Sequence, residues 1–516
     1  MNFKSSFKKI TLSLLSLSAI LSACSSPNGN TSNDSVKANY LAGFEKYITY
    51  QNEFHWGVST AGHQSEGYDN TSIWHQWEQD GKTIHQNPKG VDFLNKYKED
   101  VALAKDLGAN GFRFSIEWSR IEPRNGYFDP QGIQFYRNLI NEIKSKGMIP
   151  LVTLVHFNYP QWIINEGKSS RKGVEAPEFV DYFLRYTDKV VREFGNDVKY
   201  WITFNEPNIW IPGAYLLGQT PPGRKNPFAT VRATWNLLKA HSKAYDLIHQ
   251  LDIDAMVSSN VFYILPKPFG AVTPAPSTFQ AKPKVLDDKN ILDTDWFYES
   301  ISTGNVAVNP QAIYEGEVQA NSNQSLTLAQ ELSKTDSRNR PKTDSINSQT
   351  DSQVSWLKKF DYVAFDYYYR FRNINQVMNL TKPWLMEIYP QGLYDALMYY
   401  HRKYNKPIII AENGIGTEDL KPRNDRWTRE AALVEHVKAM KKAMADGANV
   451  LGYYHWSLTD NYEWGTFTSR FGLYSVDAIN DPEMKRIPTP SVDVYKEVIK
   501  NNGVTQDLMT KYKAPN

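Results

Sequence analysis

The chain has 516 residues, with 58 Lys and Arg against 56 Asp and Glu, and a single cysteine. One cysteine excludes an internal disulfide and any Cys-cluster metal or iron–sulfur site, and a charge balance near zero offers no basic patch for nucleic acid. With 41% hydrophobic and 22% charged residues the sequence is that of a folded globular protein, long enough for one large domain.

The N-terminus reads as a processing segment. Lys4, Lys8 and Lys9 precede an apolar run from Ile10 to Leu21, of signal-peptide length and too short to cross a bilayer. It ends in Leu21-Ser22-Ala23-Cys24, which resembles the lipobox of bacterial lipoproteins, where the cysteine is acylated and becomes the first residue of the mature chain. Residues 1–23 are therefore expected to be a lipoprotein signal peptide, and residues 24–45 the acylated Cys24 with a Ser-, Asn- and Gly-rich flexible tether. Removing the segment removes three lysines and leaves 55 basic against 56 acidic residues, so the slight positive charge belongs to the signal. The expectation is an exported protein held on a bacterial membrane by lipid, with Ser25 pointing to the outer membrane or cell surface. No later stretch approaches about 18 consecutive apolar residues, so no spanning helix is expected.

From about Tyr47, short apolar runs alternate with amphipathic segments. The runs are Phe54–Val58, Gly111–Ile116, Pro150–His156, Lys199–Asn205, Ala255–Phe262, Tyr362–Tyr368, Ile408–Glu412 and Val450–Trp456. Between them, Tyr136, Leu139, Ile140 and Ile143 recur at helical spacing and are followed by Gly147. Phe179, Phe183, Tyr186 and Val190 repeat the pattern up to Gly195, and Leu433, His436, Val437 and Met440 repeat it ahead of Asp446-Gly447. This alternation predicts a single α/β domain over residues 46–505, a (β/α)8 TIM barrel with long loops at its C-terminal face. A doubly wound sheet would need a glycine-rich phosphate turn, and Gly57-Val58-Ser59-Thr60-Ala61-Gly62 lacks that spacing. Residues 319–355 are rich in Ser, Asn, Gln, Thr and Asp and read as a polar surface excursion, with a helix over Leu326–Leu332.

Barrel enzymes carry their chemistry at the C-terminal ends of strands. Two of the runs end in a carboxylate: Trp201-Ile202-Thr203-Phe204-Asn205-Glu206-Pro207-Asn208 and Ile408-Ile409-Ile410-Ala411-Glu412-Asn413-Gly414. A single strand-end Glu is usually a loop salt bridge. Two of them, each beside an Asn, match what glycosidic cleavage requires: a proton donor to the leaving oxygen and a nucleophile or base at the anomeric carbon.

T-F-N-E-P-N and I-A-E-N-G resemble the two signature sites of glycoside hydrolase family 1, the β-glucosidase family. Further segments resemble that family in its own order: Phe54–Gly67, Phe112–Ile121, Leu154–Trp162 and His455–Gly465, within a resemblance that runs from about residue 47 to 500. The resemblance implies Glu206 as acid/base and Glu412 as the nucleophile of a covalent glycosyl-enzyme. It also implies Arg113 as the cation that keeps Glu412 ionised, Tyr368 as its hydrogen-bond donor, and Asn205 as the contact to the sugar 2-hydroxyl. Retention follows, with carboxyl groups about 5 Å apart. Gln64, His156, Asn205, Glu463 and Trp464 correspond to the polar set around the sugar, and Trp456 to the platform beneath its ring. Aromatic residues make up 13% of the chain, and outside these positions they are expected to fill the core, as is His63.

The implied substrate is a neutral β-glucoside, β-galactoside or β-fucoside, because an anionic Glu463 would repel a phosphorylated sugar. No cofactor and no metal is called for. Oligomeric state, aglycone and glycan length are left open. The same intermediate would serve a transglycosidase, and a catalytically silent sugar-binding lipoprotein is the reading from another class; relatives of that kind lose one of the two Glu, which this chain keeps. One position departs from the family: its Asn in N-Y-Y is Asp366 here. A carboxylate there either raises the pair's apparent pKa values or points at a loop donor.

Overall fold

The apolar runs become the staves of a closed barrel. The computed structural model describes residues 54–166, 171–264, 296–303, 359–371 and 381–515. Eight parallel strands follow one another around the barrel in chain order. They are β1 (His55–Ser59), β2 (Gly111–Ser115), β3 (Ile149–Val155), β4 (Tyr200–Asn205), β5 (Met256–Phe262), β6 (Val363–Asp366), β7 (Ile408–Asn413) and β8 (Val450–Trp456). β8 pairs with β1 from His55 to Ser59, which leaves no open sheet edge.

A helix follows each strand: α1 (Phe93–Asp106), α2 (Pro130–Ser145), α3 (Phe179–Phe194), α4 (Pro227–Leu251), α5 (Trp296–Thr303), α6 (Pro390–Tyr404), α7 (Arg429–Ala445) and α8 (Ser491–Lys500). This is the (β/α)8 architecture expected from the sequence. Their starts are chemically marked. Asp129 accepts from the Gln131 amide at 2.9 Å with Pro130 at the first helical position of α2, and Thr428 accepts from the Ala431 amide at the start of α7. Among the described residues no helix is long and apolar enough to cross a membrane. The signal segment 1–23, the tether with Cys24, and the 319–355 excursion lie outside the described residues.

The strand runs are nearly uniformly apolar because both faces are buried. Alternate residues face opposite ways. Ile409, Ala411, Tyr200, Ile202, Tyr362 and Tyr454 pack together inside the barrel, while Ile408, Ile410, Trp201 and Phe365 pack outward in the cluster shared with the helices. Tyr454 crosses the interior toward β1 and β2. A Cβ on Gly57 would stand 2.3 Å from its ring and one on Gly111 2.7 Å from its hydroxyl, so only glycine fits at either position.

The expected β6 run was Tyr362–Tyr368, but the strand ends at Asp366. There the pairing register with β7 shifts; similar irregularities interrupt β4 against β5 between Ile202 and Asn205, and β7 against β8 between Ile410 and Asn413. Irregularities of this kind re-aim side chains beside active sites. Strict alternation from Ala411 would send Glu412 outward.

Asp100 on α1 is clasped by Arg486, ahead of α8, with Nε to Oδ1 at 2.7 Å and the second contact at 2.8 Å; both groups are buried. Arg486→Met leaves a buried carboxylate unpaired and is expected to cost about 3–5 kcal/mol in urea unfolding, with much of that recovered when Asp100→Leu is added.

Candidate active site

Arg113 projects from β2 into the barrel mouth and is fully buried. Its guanidinium reaches four neighbours that matter. Nε donates to Thr153 Oγ1 at 3.2 Å. One terminal nitrogen donates to Glu412 Oε1. The other donates to Asn205 Oδ1 at 2.6 Å and Asn260 Oδ1 at 3.4 Å. Tyr368 donates its hydroxyl to the second oxygen of Glu412, Oε2, at 2.5 Å. Glu412 is thus fixed through both oxygens. Burial raises its carboxyl pKa, and Arg113 with the Tyr368 hydrogen bond pulls it back. The guanidinium therefore offsets burial in part rather than in full.

Glu206 follows β4 with φ 37° and ψ 56°, in the left-handed region that a residue with a side chain rarely occupies. Its surroundings hold it there. The Glu206 amide donates to the Asn260 carbonyl at 2.8 Å. Pro207 opens the short helix Pro207–Ile211, whose Asn208 exchanges hydrogen bonds with the Phe262 backbone at 2.8 and 3.0 Å. Burial first, and the neighbouring Glu412 charge second, hold the Glu206 pKa well above the ordinary carboxyl value.

Asp366 completes the group. Asn260 donates its amide to Asp366 Oδ2, and the Asp366 carboxyl stands close to that of Glu206. Burial, then Glu412 and Glu206, push its pKa well up as well. One oxygen from each of Glu206, Asp366 and Glu412 lies within 4.8 Å of the others. Carboxylates this close could share a cation, but Arg113 already places a fixed positive charge against them.

The remaining expected residues line one pocket above this group. Trp456, at the end of β8, stacks on His156 with ring centroids 5.8 Å apart and planes 11° apart. Its indole donates to Glu463 Oε1 at 2.8 Å. Gln64 donates to Asn461 at 3.2 Å, and its own Oε1 is buried with no partner among the described residues. His156 Nε2 faces the Asn205 amide at 3.3 Å, and its Nδ1 is likewise buried and unpartnered. Burial, then the Arg113 charge, keep this imidazole neutral, so with Nε2 accepting, Nδ1 carries the hydrogen. Trp464, with φ 51°, packs on Phe157 at 5.0 Å. Phe262, Tyr369, Met386 and Phe471 supply an apolar wall. His63 also lines the pocket, but its ring is bound to Glu78 at 3.1 Å and serves as support.

Every expected catalytic and sugar-contacting position is therefore in one place. Cys24 is not among the described residues. Two residues were missed. Asn260 links Arg113, Asp366 and the Glu206 backbone, and Asn208 locks the turn after Glu206. A buried Ser258-Ser259-Asn260 triplet inside an otherwise apolar strand was the available signal for the first. The protonation of Glu463 also differs from expectation. Burial raises its pKa to about 8, so it is mostly neutral near pH 7 and is not the standing anion assumed from its side-chain type.

The glycosyl hydrolase family 1 model matches residues 46–504. The chain is 30% identical to β-glucosidase A of Acetivibrio thermocellus, over 88% of this chain and 99% of that protein. It is 28% identical to a β-galactosidase of Pyrococcus woesei and 29% identical to a 6-phospho-β-galactosidase of Staphylococcus epidermidis, covering 89% and 88% of this chain and 98% of each relative. Among solved structures, the β-glucosidase of Thermotoga maritima in complex with galacto-hydroximolactam superposes with a TM-score of 0.68 at 26% identity, over 88% of this chain and 99% of the other. A β-glycosidase of Pyrococcus horikoshii gives 0.66 at 29% identity, over 90% and 97%.

The raised Glu463 pKa has a consequence for stability. Between the ordinary carboxyl value and about 8, the folded protein holds a proton that the unfolded chain has released, so this residue lowers stability as pH rises through that window. Glu463→Gln is expected to raise the midpoint of thermal unfolding more at about pH 8 than at about pH 5, as read by calorimetry.

Proposed function

The chain belongs to glycosyl hydrolase family 1 and is a β-glucosidase-like hydrolase, and we propose that it cleaves neutral β-glucosides and β-galactosides with retention, through a glycosyl-enzyme on Glu412. Glu206 delivers its proton to the glycosidic oxygen as the C1–O bond breaks, and Glu412 bonds to C1. Water then attacks C1, gives its proton to Glu206, and the ester to Glu412 breaks. The observation that carries this reading is the contrast between the two carboxyls: Glu412 is gripped by a guanidinium and a phenol, while Glu206 is buried without a cation of its own and keeps its proton. The separation of under 5 Å suits direct attack rather than an intervening water.

Arg113 orders the site by binding Glu412 and Asn205 together, so Asn205 is aimed at the 2-hydroxyl of the sugar on Glu412. Neutral His156 donates from Nδ1 and Gln64 accepts at Oε1, two groups that a sugar hydroxyl satisfies. Trp456 forms the platform, and Glu463 and Trp464 close the glycone side. The apolar wall of Phe262, Met386 and Phe471 suits an aromatic or alkyl aglycone. Preference for a neutral sugar rests on the lining. Among the described residues, no lysine or arginine lines the pocket to bind a phosphate, and Glu463 fills the position beside Trp456.

Residues 1–23 are proposed to be removed as a lipoprotein signal, leaving the domain over residues 46–505 tethered through an acylated Cys24. Labelling with a radioactive or clickable fatty acid in a bacterial host is expected to tag the chain and to be lost in Cys24→Ser.

Catalysis is tested with nitrophenyl β-glycosides on the chain lacking residues 1–24. Glucosides and galactosides are expected to turn over and 6-phosphoglucosides not. Glu412→Gly should abolish hydrolysis, and Glu206→Gln should lower it by about 10²–10⁴-fold for substrates with poor leaving groups. Unchanged hydrolysis by Glu412→Gly removes the mechanism. Transfer to added alcohol or sugar exceeding hydrolysis would assign a transglycosidase instead.

A further inference from the structure

The third carboxylate at the barrel mouth has no role in a two-carboxylate mechanism. Asp366 is fully buried at the end of β6. Its Oδ2 accepts from the Asn260 amide, and Asn260 Oδ1 in turn accepts from Arg113. Its Oδ1 is buried and, among the described residues, receives no hydrogen from a donor group, while one oxygen of Asp366 lies within 4.8 Å of one of Glu206. Two buried carboxylates this close repel each other unless the pair holds a proton. Arg113 does not resolve the repulsion, because its bond to a carboxylate goes to Glu412.

We propose that Asp366 is a positioning residue that shares one proton with Glu206 and so keeps that proton available to the leaving group at alkaline pH. The inference rests on the glycosidase reading above. Asp366 is not among the residues that line the pocket. It acts through Glu206, and Asn260 anchors its Oδ2. When Glu206 gives its proton to the glycosidic oxygen, the pair is left with two negative charges as the charge on Glu412 disappears into the ester. Glu206 is then flanked by an anion, which makes it the stronger base toward water in the second half-reaction.

The charged and titratable groups acting on the pair are Glu412 on β7, Arg113 on β2, Tyr368 after β6 and Glu463 beyond β8. Arg113 keeps its charge across the accessible range. Tyr368, bound to Glu412, is raised above its ordinary value by burial, so it does not titrate with the pair. Glu463, at about 8, also stands above the ordinary carboxyl range, so its ionisation must be separated from that of the pair.

Asp366→Asn tests this with little change of shape. The amide oxygen can still accept from Asn260, which turns the new NH2 toward Glu206, where it donates and favours the ionised form. The readout is the pH profile of kcat/KM on an alkyl β-glucoside, which needs the acid, beside 2,4-dinitrophenyl β-glucoside, which does not. On the alkyl substrate the basic limb is expected to move down by about one pH unit or more, an approximately tenfold loss on that limb, with the plateau near neutrality retained. On the activated substrate the limb should stay in place. Glu463→Gln, run in parallel, identifies any limb due to Glu463. An unmoved basic limb on the alkyl substrate, or an equal shift on both substrates, overturns the proposal and leaves Asp366 as packing.

A wild-type measurement stands if the variant does not fold. In carbon-13 NMR titration with labelled Asp and Glu, the carboxyl carbons of Glu206 and Asp366 should both report the more alkaline step at one common midpoint, as loss of a shared proton requires. A step seen at only one of them overturns the proposal. Failure of the glycosidase reading would look different, since the wild-type enzyme would then turn over neither glucoside.

Discussion

The site depends on a single buried cation. Arg113 carries one positive charge into a space shared by three carboxyls, and every other arrangement answers to it. Its contact with Glu412 makes that carboxyl the easiest of the three to ionise. Its contact with Asn205 ties that amide to Glu412. Its contact with Asn260 reaches the pair that the cation does not neutralise. One guanidinium against three acids leaves a surplus of negative charge, and burial makes that surplus costly. Protons settle the difference, so Glu206 and Asp366 both stand well above ordinary carboxyl values. The proton held at Glu206 is therefore a result of charge balance as much as of a special pocket.

The backbone contributes as firmly as the side chains. Glu206 sits at φ 37°, a conformation of the kind that costs about 1–3 kcal/mol and persists only when neighbours over-determine it. Here the Asn260 carbonyl, Pro207 and the Asn208 clasp do so. The irregular registers of β4, β6 and β7 fall next to Glu206, Asp366 and Glu412. A perfectly regular barrel would alternate its side chains and could not turn these neighbours toward one centre.

Much of this was legible in the sequence, and the reason is physical. Strands buried on two faces read as plain apolar runs, so all eight could be placed to within a few residues. The residues that end such runs stand out by polarity, which exposed Glu206 and Glu412. Asn260 did not stand out, because it lies inside a run, and its importance arises from what three other strands bring to it. The protonation of Glu463 was hidden for a similar reason: side-chain type gives the charge in water, while burial beside Trp456 sets the charge in place. The β6 run looked longer than its strand because Tyr367 and Tyr368 are as apolar as strand residues, although by then the chain is turning into the site. Asp366 could be recognised as a departure from the family, but its contact with Glu206 emerges only when β4 and β6 are brought to the same rim.

The Tyr454 ring that crosses over Gly57 and Gly111, with the apolar side chains packed round it, stoppers the lower end of the barrel. Among the described residues, the reaction centre opens into the pocket lined by Trp456, Trp464 and Phe471. On the proposed mechanism a departing aglycone and the incoming water share that opening, so the two steps are ordered by traffic as well as by chemistry. A slow-leaving aglycone would hold the glycosyl-enzyme dry, and an acceptor already waiting at the doorway would be first in line for the sugar.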